Sequence, residues 1–113
     1  MTVRSDLLDA GSVTTSGTWT TVYTAPTGYR TIVKEVRTSQ HGATTTSVQV
    51  ALWRSAALVA YYVLRLAQPQ YELVRDEMWQ IMKAGDALRV YVGTQPVFYS
   101  ISGTELSLTG GEV

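Results

Sequence analysis

The chain contains no cysteine, so it has neither disulfides nor thiolate metal sites, and its stability has to come from packing. That absence suits either a reducing cytosol or an exterior and leaves the compartment open. Histidine is nearly missing too: His41 stands alone in a Gly and Thr-rich loop. Glycines sit at turns and never between a strand and a helix as a phosphate-cradling loop would require. Charged residues make up 16% of the chain, against about 25% in ordinary globular domains. Nine basic and nine acidic side chains cancel, which removes the field that would gather nucleic acid or anionic lipid. No apolar run approaches the roughly 20 residues of a membrane-spanning helix, the longest being Ala56–Leu64, so membrane insertion is not expected. The segment Thr2–Asp9 carries charges where a signal peptide needs an apolar core, so export by that route is not expected either.

What is present is Thr, Ser, Gln and Ala in place of charge, with 45% hydrophobic residues. A surface that repels itself so weakly favours association, and a homo-oligomer is expected. A length of 113 residues fits one domain burying about two-thirds of its unfolded surface.

Along the chain, residues 1–17 are too polar to pack alone and read as an extended N-terminal arm, followed by a β-sandwich domain over 18–109 and a flexible tail at 110–113. Thr18–Thr24 alternates as a strand, Ala25-Pro-Thr-Gly28 is a turn, and Tyr29–Thr38 is a strand whose imperfect alternation predicts a bulge or an edge position. Residues 40–46 form a loop. From Ser47, Val48, Val50 and Leu52 share one face while Gln49 and Trp53 take the other. Ala56–Leu64 is either a strand covered on both faces or a short buried helix; its Val and Tyr content favours the strand, with a second subunit covering the far face. Gln70–Lys83 reads as two strands interrupted at Asp76-Glu77, with a helix as the alternative. Ala84-Gly-Asp86 and Gly93–Pro96 are turns around the strand Leu88–Val92, and Val97–Leu108 is a last strand bulged or bent at Gly103. Strands spaced by about 8 to 12 residues between Gly and Pro turns indicate an all-β fold, an antiparallel β-sandwich or jelly roll.

Reactive constellations are scarce. His41 and Ser39 are neighbours on one loop, whereas a catalytic triad converges from separate elements. Asp76 and Glu77, adjacent in a strand, point to opposite faces, and neither they nor Asp6 and Asp9 match a metal-ligand spacing. Neither an enzyme, a cofactor nor a metal is expected. The apolar run supplies the candidate subunit interface, Leu58, Tyr61, Tyr62 and Leu64. The exposed-ring candidates for an aromatic binding surface are Trp53 and Trp79, which a host-surface glycan or a protein partner could use.

Three blocks, Tyr23-Thr-Ala-Pro-Thr-Gly-Tyr-Arg-Thr-Ile-Val33, Lys83-Ala-Gly-Asp-Ala-Leu-Arg-Val90 and Phe98-Tyr-Ser-Ile-Ser-Gly-Thr-Glu105, resemble small β-sandwich virion proteins of tailed double-stranded DNA bacteriophages. The resemblance covers about half the chain. It implies a structural tail, minor-tail or tail-tip subunit, made in the host bacterial cytoplasm and placed in the virion. It further implies assembly as trimers or other rings against neighbouring virion proteins. A capsid decoration protein and a carbohydrate-binding module for host attachment are the alternatives.

Overall fold

The computed structural model describes residues 3–107, with side chains from residue 7 onward. Those residues form eight strands: β1 Val3–Val13, β2 Trp19–Thr24, β3 Tyr29–Gln40, β4 Thr45–Arg54, β5 Ala57–Pro69, β6 Leu73–Met82, β7 Ala87–Val92 and β8 Val97–Ser107. They build two four-stranded antiparallel sheets, β1-β8-β3-β6 and β2-β7-β4-β5. Strand pairs 1 with 8, 2 with 7, 3 with 6 and 4 with 5 nest inside one another, as in one long hairpin rolled up from its β4–β5 tip. That is the jelly-roll form of the sandwich.

The inner faces meet in a core of Val13, Val33, Val36, Val48, Val50, Leu52, Val63, Met82, Leu88, Val90, Val92, Val97 and Ile101. Valine dominates because β-branched side chains suit a pleated, half-buried surface. Alternation in β4 and β7 puts Val48, Val50 and Leu52 opposite Val92, Val90 and Leu88 on the inside, and leaves Gln49, Trp53, Arg89 and Tyr91 outside.

Several sequence readings take a different form here. The segment expected as an arm is β1, hydrogen-bonded along β8 as a sheet edge. Its polarity reflects the solvent side of an edge strand, with Val13 buried and Leu8 packed on the core. Ala56–Leu64 falls largely in β5, a strand as expected, at a sheet edge and paired only with β4. Gln70–Lys83 contains one strand, β6, with neither a helix nor a break at Asp76-Glu77. Asp76 is tolerated on the inner side because Arg65 of β5 meets it at 2.9 Å. The tail expected at 110–113 lies outside the described residues.

The bulge expected in β3 is at Lys34, where the register against both β6 and β8 slips between Val33 and Glu35. Gly103 stands opposite Val33, beside this slip, and a Cβ there would run into the Ile32 carbonyl oxygen. Every edge strand is irregular too: β1 at Leu8, β2 at Val22, β6 at Met78-Trp79, and β5 at three places along its length. Bulges twist an edge away from a straight ladder, so the sandwich is poorly suited to adding a foreign strand.

At one end, two fully buried glutamines replace apolar packing. Gln40 Nε2 donates to the carbonyls of Ala43 and Gln68 at 2.6 and 3.0 Å, and its Oε1 accepts from the amides of Gly42 and Ala43. Gln68 Nε2 donates to the Thr38 carbonyl, and its Oε1 accepts from the Thr38 hydroxyl at 3.1 Å. The pair stitches the end of β3 to the end of β5 with its polar groups satisfied, the condition for burying amides at all.

Candidate functional site

The outer face of the β2-β7-β4-β5 sheet can be read row by row from its register. One row runs Trp19, Tyr91, Gln49, Leu64; the next Thr21, Arg89, Ala51, Tyr61; the third Thr24, Ala87, Trp53, Leu58. Successive outward positions lie two residues apart on each strand, except where a bulge inserts one. Trp19 is the hub: its ring centroid lies 5.6 Å from Trp53, 5.6 Å from Tyr91 and 6.2 Å from Tyr61, at interplanar angles of 63°, 55° and 46°. The Arg89 guanidinium lies 4.5 Å from the Trp53 ring centroid, a cation–π contact. Beneath this cluster Ala51 is fully buried, although its side chain points away from the core. Trp53 Nε1 and Arg89 Nε are both shielded without a hydrogen-bond partner.

Beside the rings, Leu58, Tyr61 and Leu64 remain 37%, 49% and 59% exposed. Three of the four interface residues proposed from the sequence thus share one face. Tyr62 does not, because the register slip beside Tyr61 turns it to pack against the core. Burial, with the Asp86 carboxylate adding to it and the Arg54 guanidinium opposing it, raises the Tyr62 phenol to about 12.

Trp79, the other aromatic candidate, lies on the opposite side of the molecule, 73% exposed, with Lys34 Nζ 5.2 Å from its ring centroid. Trp53 and Trp79 therefore do not form one surface. The outer face around Trp79 is charged: Glu35 accepts from Arg37 Nε at 2.8 Å and meets Arg75 at 3.3 Å, and Arg75 also reaches Glu77 at 3.4 Å. Further along, His41 sits between the ring edges of Tyr71 and Phe98, at 5.1 and 4.9 Å. A shallow depression there is lined by Arg37, Ser39, Leu73, Phe98, Tyr99 and Ser100.

The chemistry open to these groups is limited. His41 Nε2 lies 3.3 Å from Ser39 Oγ, and its other ring neighbours are aromatic. Asp76 faces inward to Arg65 while Glu77 faces outward to Arg75, so the two carboxylates cannot flank one substrate. Among the described residues no cluster of three His, Cys, Asp or Glu could hold a metal, and no helix is long and apolar enough to cross a membrane.

Sequence reasoning counted Trp19 and Tyr91 only among the aromatic residues at large, did not single out Arg89, and assigned none of the three to this face. Their shared outward parity on β2 and β7 was the available signal, but which strands stand side by side is set only by the nested pairing.

No family model and no curated protein matches the chain. Among solved structures it is similar to a chain in a structure of infectious bursal disease virus, Gx strain, with a TM-score of 0.55 and 8% identity over 92% of this chain and 32% of that one. It is likewise similar to a chain in a structure of the Gt strain of that virus, with a TM-score of 0.56 and 8% identity over 96% of this chain and 34% of that one. At that identity the likeness is one of fold. The chain spans about one third of the length of the chains it matches.

Proposed function

We propose that this chain is a non-enzymatic structural subunit of a virion, a tail or tail-tip component of a tailed bacteriophage that assembles with copies of itself and docks on neighbouring virion proteins. The observation that carries the reading is a bulge-edged jelly roll with large apolar side chains exposed on both outer faces, and with no convergence of reactive groups among the described residues. Such a module works by surface complementarity. The fold likeness to chains in virus structures supports a place in a virion, and the three blocks resembling phage virion proteins support the tail.

The test is to locate the chain in purified particles by electron microscopy with a specific antibody, and to count copies by quantitative mass spectrometry. Density on the tail with copies enough for one or a few rings is expected. Hundreds of copies on the head would replace the tail assignment with a capsid decoration role, and absence from particles would overturn the virion reading.

A further inference from the structure

The two outer faces differ in charge. The β1-β8-β3-β6 face carries exposed Leu73, Trp79, Ile81 and Phe98 together with Lys34, Glu35, Arg37, Arg75 and Glu77, these charges mostly paired with one another. On the β2-β7-β4-β5 face the rows defined by the register contain no Lys, Asp or Glu and one Arg, which lies over Trp53. Aromatic residues and Arg with few other charges is the composition of the buried centre of a protein interface. The strands of this face, of six, six, ten and thirteen residues spaced about 4.8 Å apart, present roughly 550 Å² in projection, against about 800 Å² per partner of a stable complex.

We infer that this face binds a second copy of the chain, sheet against sheet, about a two-fold axis running along the strands. The inference deepens the self-assembly part of the proposed function. Its basis is the pattern of the rows. An axis along the strands between β7 and β4 lays β2 of one copy over β5 of the other at the same height. Trp19 then meets Leu64 of the second copy, and the Tyr91 hydroxyl meets the Gln49 amide. In the next rows a small side chain faces a large one each time: Thr21 against Tyr61, Ala87 against Trp53, Thr24 against Leu58. An isologous contact requires this kind of self-complementarity, in which residue i meets j and j meets i. A two-fold across the strands would instead stack β2 on β2 and leave the leucines of β5 on each other.

Edge-to-edge pairing is the obvious rival for a β protein, and the bulges on all four edge strands oppose it. A glycan is the rival occupant of the face. Trp19 and Trp53 meet edge to face at 63° and so present no flat platform for a sugar ring, and the unpaired Nε1 of Trp53 is shielded beneath the cluster. The sequence-based expectation of a trimer is not what this pattern favours, because complementary strips on the two borders of one face close in pairs.

The test uses the full chain. Light scattering after size exclusion at about 100 μM should give the dimer mass, and Leu64→Glu, at an exposed position, should weaken association at least 100-fold with an unchanged circular dichroism spectrum. Ile81→Glu, on the opposite face, should leave association intact. Because the chain has no cysteine, Thr21→Cys and Tyr61→Cys can be mixed as separate variants: oxidation should link the mixture into dimers and leave Thr21→Cys alone unlinked. A trimer, a strict monomer, dimerisation indifferent to Leu64→Glu, or a monomer retained by host-wall polysaccharide would each overturn the inference. None of these results bears on whether the chain is found in particles, which the microscopy decides.

Discussion

Arg54, at the end of β4, and Asp86, in the turn before β7, form a two-pronged ion pair: Nε donates to Oδ1 and Nη2 to Oδ2, both at 2.8 Å. The Asp86 side chain is 2% exposed and that of Arg54 44%, so the acid is sealed under the sheet ends while the base caps it from solvent. Asp86 Oδ2 also accepts the Lys83 amide at 3.0 Å, which closes the turn. The same turn bonds to the Pro26 turn through the Ala25 amide on the Asp86 carbonyl and the Gly85 amide on the Ala25 carbonyl. Three separate connections are thereby held at one end of the sandwich.

The pair makes stability pH-dependent in the acid range. Hydrogen bonding from Arg54 is the main cause that lowers the Asp86 carboxyl below its ordinary 3.8, against the opposing effect of burial. A lowered folded value means a contribution fully present above the unfolded pKa and lost as pH falls through the folded one. Asp86→Asn should cost about 2 kcal/mol near neutrality, since it weakens charge-assisted bonds. Urea midpoints of the two proteins should converge between pH 4 and the most acid pH at which both stay folded, as expected from the unfolded-state pKa of about 3.9.

At the alkaline end the sign reverses. Tyr99 donates to Asp9 Oδ2 at 2.9 Å, and burial followed by that carboxylate raises its phenol to about 12. With Tyr62 also near 12, two tyrosines should ionise well after the ordinary value of 10 in an ultraviolet titration, and Tyr99→Phe should remove one of them. The stabilisation they express is fully present below the unfolded value and disappears as pH rises through about 12. Tyr99→Phe at neutral pH should cost about 1 kcal/mol and loosen β1, seen as faster amide exchange along residues 9–13.

Gly103→Ala should be among the most damaging single changes. The added methyl meets the Ile32 carbonyl oxygen, a backbone atom inside the sheet that cannot rotate away. A loss of about 2–3 kcal/mol in a denaturant titration is expected, typical of overpacking. An unchanged midpoint would show that the β3–β8 register slides to make room.

Gln40→Leu is nearly isosteric, yet it strands the buried Gln68 carbonyl and removes the bonds to the partly exposed Gly42–Ala43 turn. One buried unsatisfied group costs about 1–3 kcal/mol, so the variant should lose about 2 kcal/mol. Simple loss of packing would cost far less. Calorimetric unfolding of both proteins measures the difference.

Much of the fold was legible because period-two alternation and turn chemistry are local. Trp19–Thr24, Leu88–Val92 and the turns at Gly28 and Gly85 follow from a few neighbouring residues each, and the β3 irregularity was visible as Lys34 sharing parity with Ile32 and Val36. The β1 strand was not legible, since its ladder comes from β8, about 90 residues away, and its own residues carry little apolar signal. Ala56–Leu64 was legible as a strand, but which of its side chains face inward was not. A run of apolar residues signals burial on both faces, but three register slips in β5 re-aim successive side chains, sending Tyr62 inward and leaving Tyr61 and Leu64 outside.

The amino-acid sequence by itself determined that this is a β protein with little charge and no thiol chemistry, because composition and alternation are properties of short stretches. Only the tertiary structure decided that Trp19, Trp53, Tyr61 and Tyr91 share a face while Trp79 looks the other way. Strand order comes from closing long loops around a common core, and that is a choice made by the whole chain at once.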